Sequence, residues 1–210
     1  MEKIGLSHRP NHKPHGITKA DRESHRSEDL LKRNFQSDVL LTKCVTDITE
    51  IKASDGKLYV SAIFDCFDSA VLGISIGANM QASLCLDMLD NAIMAYQDLK
   101  GAIVYSDRGA QYTSQTYRDA VIKHSIIQSM NSACGRCHDN AHCESMWARM
   151  KSELFYGHYD TKKFTKSELK VKIWRYSMSY WNNHRICSTN GSLPPMVKRR
   201  KYYSYHEEIV

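Results

Sequence analysis

Two carboxylates in the middle of the chain, Asp107 and Glu144, have neighbours that suit a metal site. Asp107 follows the apolar run Ile103-Val104-Tyr105 and precedes Gly109, which predicts a position at the C-terminal end of a strand, where open α/β sheets collect their ligands. Glu144 falls in a segment that starts near the N-capping residues Asp139 and Asn140 and repeats Cys143, Trp147, Met150 and Leu154 at helical spacing. That pattern predicts a helix with a buried stripe and Glu144 at its edge. Asn140, Glu144, Ala148 and Lys151 share a second face, with Lys151 roughly 10 Å along the axis from Glu144. An acid able to hold a metal is thus followed two turns on by a base able to hold phosphate. A third carboxylate, Asp47, interrupts the apolar run Cys44-Val45-Thr46-Asp47-Ile48 in what reads as a central strand, where a charge is costly unless paired or metal-bound. Each acid also has a plainer reading: a solvated edge-strand Asp47, a turn-capping Asp107, an exposed helical Glu144. Asp65, at the end of another predicted strand, is a rival metal neighbour that fits a hairpin turn better.

The elements that must position these residues follow from the pattern. Val39 to Leu41 with Cys44 to Ile48, Leu58 to Phe64 and Ala70 to Ile76 read as closely spaced strands, with turns at Ser54-Asp55-Gly56 and Asp65 to Ser69, and so as antiparallel hairpins. Ala82 to Tyr96 reads as a helix leading into the strand of Asp107, Thr116 to His124 as a second helix, and Ser125 to Met130 as a fifth strand. Asn131 to His138 then forms a loop before the helix of Glu144, which reaches Tyr156. Lys166 to His184 reads as a last amphipathic helix, and Pro194-Pro195 as the end of regular structure. Three hairpin strands followed by alternating helices and strands make an α/β fold with a mixed sheet. Residues 1–37 read as a basic polar linker or tail, 38–186 as the core domain and 187–210 as a basic tail.

Composition narrows the function classes. In 210 residues, 42% hydrophobic and 25% charged content is that of a globular chain with one core, and no apolar run approaches the ~18 residues of a membrane span. The first residues carry no secretory pattern, and seven cysteines scattered through the elements fit thiols in a reducing cytosol. The net charge of +6 is concentrated between Lys151 and Lys201, where twelve Lys or Arg face three Asp or Glu. That excess suits DNA phosphates as well as it suits a solvated helical face.

Five motifs, in order, carry a resemblance: Thr46-Asp47-Ile48-Thr49, Ser106-Asp107-Arg108-Gly109-Ala110-Gln111-Tyr112-Thr113-Ser114, Ser129-Met130-Asn131-Ser132, Asp139-Asn140-Ala141 with Glu144, and Tyr180-Trp181-Asn182-Asn183-His184-Arg185. From about Leu41 to Lys198 the chain resembles the integrase catalytic core of IS3-family transposases. The resemblance implies a ribonuclease-H-like fold: a five-stranded mixed sheet, three strands antiparallel and then parallel ones, flanked by helices. It implies Asp47, Asp107 and Glu144 as a catalytic triad holding Mg²⁺, with Mn²⁺ as a substitute and two ions ~3.5–4 Å apart, and DNA nicking and strand transfer as the activity. The partners implied are the ends of an insertion element, target DNA and further copies of the chain on DNA, in the bacterial cytosol or nucleoid. The family's N-terminal helix-turn-helix section has no counterpart here, so the chain reads as a truncated frame or as one part of a split protein, with recognition supplied by the product of an upstream frame.

Several residues are expected on DNA: Lys151 first, then Arg108, Gln111, Tyr112, Asn140, Arg149 and Arg185. Tyr112 serves equally well packed under its loop, Asn140 as a helix cap, and Tyr180 to Arg185 as core. The chain departs from the family in having thirty-six residues between Asp107 and Glu144, one more than usual, an insertion that the Ser132 to His138 loop absorbs. Tyr105 and Cys44 stand where His and Trp are usual. Cys134, Cys137 and His138 spell a haem-attachment pattern that fits exported proteins. With His142 and Cys143 they offer zinc ligands, a weaker reading than a DNA-handling loop.

Overall fold

The structure, a computed structural model, describes residues 28–131, 141–155 and 160–207. Strand β1 (Lys43–Ala53) is hydrogen-bonded on one side to antiparallel β2 (Gly56–Asp65), which in turn carries antiparallel β3 (Val71–Gly77). On its other side β1 pairs in parallel with β4 (Ile103–Ser106), and β4 with β5 (Ile127–Met130), giving the order β3-β2-β1-β4-β5. This is the mixed five-stranded α/β architecture expected from the pattern.

Period-two alternation distributes the side chains of β1 between two cores. Val45, Ile51 and Ala53 face one layer with Cys143, Met146, Trp147 and Met150 of α4 (Ala141–Leu154) and Leu169 and Ile173 of α5 (Lys166–Trp174). Cys44 and Ile48 face the other, with Leu84, Met88 and Leu89 of α1 (Ala82–Ala95) and Tyr117 and Val121 of α3 (Gln115–Lys123). The short α2 (Ala110–Thr113) joins β4 to α3. Gly73 sets the approach of α1: a Cβ there would stand 2.5 Å from the Met88 carbonyl oxygen and 2.7 Å from Ala92 Cβ.

The elements depart from expectation in three places. Leu40 and Leu41 are buried but lie outside the strand, with Leu41 at φ 58° and its N–H donating to Asp65 Oδ2. The helix that begins at Lys166 widens into a π-helix over Arg175–Trp181. The extra residue per turn lets consecutive Trp181 and Asn182 both face inward. Trp181 Nε1 donates to the Ser69 carbonyl at 2.8 Å, and the Asn182 amide pairs with both the N–H and the C=O of Val71. This motif therefore clamps the β2–β3 turn. Finally, Pro195 opens a helix rather than ending regular structure: α6 spans Pro195–Glu207, as proline at a first helical position permits.

The α6 helix is held by a buried ion network. Arg199, 2% exposed, donates from Nη2 to Asp65 Oδ2 at 2.7 Å and from Nε to Asp68 Oδ2 at 2.8 Å, and both carboxylates are fully buried. At the other end of the described chain Leu31 is buried in the first core, and Phe35 meets Tyr105 edge-on at 5.2 Å. Burial, and then the charge of Asp68, lift the Asp65 carboxyl to about 6 even beside Arg199. Removing one partner of a buried ion pair costs about 3–5 kcal/mol because the other charge is left stranded. Arg199→Met is therefore expected to lower the stability at pH 7, read from urea unfolding, by that order, and to recover part of the loss at pH 5, where Asp65 takes up a proton.

Candidate metal and DNA site

Strand register brings the first two acids together. Val45 lies beside Tyr105 in the parallel β1–β4 pair, so two residues further along each strand Asp47 stands beside Asp107, one residue past the end of β4. Both odd-numbered positions point to the α4 face. Trp147 of α4 donates from Nε1 to Asp47 Oδ2 at 3.2 Å. Glu144 lies one turn before Trp147 and is exposed in the first turn of α4; Lys151 lies one turn after it and is half-buried.

The charges register this proximity. Asp47 is lifted to about 7, first by burial and then by the negative charge of Asp107, with a smaller contribution from Glu144, while hydrogen bonds from Ile48 N–H and Trp147 oppose the shift. Burial pushes the Lys151 ammonium below the usual lysine range, and the carboxylates of Asp47 and Glu50 pull it back up. Asp107 Oδ1 accepts the Gly109 N–H at 2.9 Å, the turn-capping role foreseen for it. Among the described residues no three His, Cys, Asp or Glu side chains form a ready metal cage. The structure thus brings Asp47 and Asp107 together, with Glu144 acting on Asp47 more weakly. An all-oxygen donor set whose members repel one another fits a hard divalent cation between Asp47 and Asp107.

The rival acid is excluded. Asp65 pairs across from Cys44 and so lies on the other face of the sheet from Asp47, where Arg199 and the N–H groups of Leu41 and Phe67 use its oxygens.

The expected DNA contacts divide. Tyr112 is wholly buried in the α1 layer with its hydroxyl 3.2 Å from Thr46 Oγ1, so it packs beneath the loop and is not a DNA contact. Gln111 is 8% exposed and donates to the Met80 carbonyl, which also removes it from the surface. Arg185 is engaged by Glu153 through Nε and Nη2 and stacks 4.5 Å above Trp181. Arg108 donates from Nε to the Asn131 carbonyl at 2.6 Å, tying the Asp107 loop to the end of β5. Arg149 is exposed on α4. Asn140, Cys134, Cys137 and His138 lie outside the described residues, whereas Cys143 of the zinc reading is buried in the first core. Trp147 is the functional neighbour that the sequence hid: it sits in the apolar stripe, and only its indole N–H, at the stripe's edge three residues from Glu144, hinted at a polar partner.

Residues 41–135 match the family model of the integrase core domain. A probable transposase for insertion element IS1353 from Shigella flexneri is 34% identical over 171 residues, 81% of this chain and 33% of that protein. From Escherichia coli K12, a putative IS150 transposase is 33% identical over 83% of this chain and 60% of its own length, and the IS3A transposase 32% identical over 80% and 57%. Over these stretches the chain is similar to integrase-core transposases of insertion elements. It spans between a third and three fifths of the length of these relatives. Among solved structures, the catalytic core of HTLV-2 integrase in complex with magnesium, in a trimeric form, covers 77% of this chain and 98% of its own with a TM-score of 0.55 at 13% identity. The simian T-cell lymphotropic virus intasome, in complex with a phosphatase regulatory subunit, aligns over 82% of this chain and 58% of its own at TM-score 0.56 and 18% identity. The fold is ribonuclease-H-like. Among the described residues no helix is long and apolar enough to cross a membrane.

Asp47 gives this core a pH signature. Because its folded-state carboxyl titrates near 7 against 3.8 for an ordinary aspartate, the metal-free native state binds more protons than the unfolded chain between those values, and stability falls as pH rises through that window. Asp47→Asn keeps an acceptor for Trp147 and removes the charge. Allowing for the residue's partial exposure, it is expected to stabilise the metal-free protein by about 1–2 kcal/mol at pH 8 and by little at pH 4, as read from denaturant unfolding in EDTA.

Proposed function

We propose that this chain is the catalytic part of an IS3-type transposase that nicks DNA at the 3′ ends of an insertion element and joins the freed hydroxyl to a phosphodiester of target DNA. The observation that carries the proposal is the pairing of Asp47 with Asp107 on one sheet face, with Glu144 and Lys151 one turn to either side of Trp147 on the helix above.

Asp47 and Asp107 would hold a divalent cation between their carboxylates, and Glu144 would complete the set from the first turn of α4. When bound, two Mg²⁺ ions, or Mn²⁺ in their place, activate the attacking oxygen and stabilise the charge on the leaving one. The chain's own residues orient the reactants. Trp147 fixes the Asp47 rotamer, and Arg108 pins the loop that carries Asp107. Lys151 offers an ammonium to a phosphate beside the acids. The attacking group is water in nicking and a 3′-hydroxyl in joining, so no covalent protein intermediate is required. Partners that fit this reading are element ends, target DNA, further copies of the chain and a separate helix-turn-helix protein, in the bacterial cytosol.

One observation favours a second reading, a DNA-binding or multimerising remnant without catalysis: the three acids do not stand as a closed cage among the described residues. One assay separates the two. In Mg²⁺ with labelled element-end duplex, the wild type is expected to nick and join, EDTA to abolish both steps, and Asp47→Asn, Asp107→Asn or Glu144→Gln each to reduce them to background while circular dichroism stays unchanged. Retained strand transfer in any one variant removes that residue from the site, and DNA binding by the wild type without cleavage establishes the remnant.

A further inference from the structure

Asp107 stands one residue past the end of β4, so its distance from Asp47 depends on what holds the loop that follows. Period-two alternation points Thr46, the neighbour of Asp47 on β1, to the opposite face of the sheet, into the α1 layer. There its Oγ1 meets the hydroxyl of Tyr112 at 3.2 Å, and both residues are wholly buried. Thr46 Oγ1 gives its single proton to the Ala62 carbonyl at 2.9 Å, so the Tyr112 phenol is the donor in this contact. The backbone of Tyr112 is held as well. Its carbonyl accepts from Gln128 Nε2 of β5 at 2.8 Å, and its N–H reaches back to the Gly109 carbonyl at 3.0 Å. Tyr112 thereby ties β1 on one side and β5 on the other to the loop that leaves β4 between them.

We propose that Tyr112 is a positioning residue for the metal site: its hydrogen bond to Thr46 sets the separation of the Asp47 and Asp107 carboxylates from the far side of the sheet. This role rests on the reading above, in which the two acids share a divalent cation. Carboxylates that repel one another move apart unless the backbone beneath them is fixed, and Mg²⁺, with bonds of about 2.0–2.1 Å in near-ideal octahedral geometry, tolerates little spread. The Tyr112 ring, edge-on to Tyr117 at 5.3 Å, already anchors the loop by burial. What the hydroxyl adds is a fixed height and register relative to β1. Tyr117 supplies the contrast, since its hydroxyl is buried in the same layer without a hydrogen-bond partner among the described residues. Hydrogen bonds outside the ligand shell change metal affinity by about 10–100-fold without touching the ion.

The test measures Mn²⁺ affinity by electron paramagnetic resonance without DNA, with kcat and KM for strand transfer at sub-saturating Mg²⁺ and the melting temperature in parallel. Tyr112→Phe keeps the buried ring and removes the donor, and Thr46→Val removes the acceptor. Each is expected to weaken Mn²⁺ binding about tenfold and to lower kcat while KM for DNA stays unchanged. The double variant is expected to bind Mn²⁺ no more weakly than either single one, because both changes break the same bond. Thr46→Ser, which keeps the hydroxyl, and Tyr117→Phe are expected to match the wild type. Wild-type Mn²⁺ affinity in Tyr112→Phe, whatever its melting temperature, overturns the positioning role. So do losses that multiply in the double variant, or a loss that falls on KM for DNA alone. Each of these leaves the transposase reading standing where the wild type joins DNA. A wild type whose Mn²⁺ binding depends on the Tyr112 hydroxyl but that joins no DNA overturns the transposase reading and leaves the positioning role; one that binds no Mn²⁺ overturns both.

Discussion

Two negative side chains on neighbouring strands, facing the same helix, are the constraint around which the rest of this molecule is arranged. The parallel register of β1 on β4 puts Asp47 next to Asp107, and period-two alternation ties each to the face on which Val45 and Tyr105, two residues before them, are buried. Burial, and then the charge of Asp107, raise the Asp47 carboxyl to about 7. A fold gains nothing in stability from such a pair, and strained electrostatics of this kind accumulate where chemistry is done. The surroundings supply what the pair lacks: an indole N–H from Trp147, an ammonium from Lys151 and a third carboxylate from Glu144, all projected by one helix.

The opposite face of the sheet treats its charges differently. Asp65 and Asp68 are as deeply buried as any residue in the chain, but Arg199 of α6 neutralises them, so their role is to anchor the C-terminal helix. Similar residue types thus serve two ends on two faces of one sheet, separated by which of them has a cation of its own. The π-helical turn belongs to the same scaffold, since it aims Trp181 and Asn182 at the backbone of the β2–β3 turn from which Asp65 and Asp68 project. Packed on this braced sheet, α4 can offer Glu144 and Lys151 on one flank.

The strand pattern, the order of the elements and the stripe of α4 are legible in the sequence because they follow from periodicity, which burial enforces directly. Asp47 is legible for the same reason: a charge inside an apolar run is anomalous in one dimension. Tyr112 and Gln111 mislead because their motif sits beside Asp107 in sequence, whereas packing carries them inward, under the loop. Arg199 is invisible within a basic, tyrosine-rich stretch, since nothing local distinguishes a cation that will meet Asp65 and Asp68 from one that stays in solvent. Pairings across more than a hundred residues are tertiary facts, and one-dimensional spacing does not encode them.

The central claim, that Asp47 and Asp107 share a divalent cation, is tested most directly by anomalous scattering from crystals soaked in Mn²⁺. The account predicts a strong anomalous peak between the two carboxylates, about 2.0–2.2 Å from an oxygen of each. Saturating Mn²⁺ that leaves no peak there, or a peak bound to other residues alone, would contradict it.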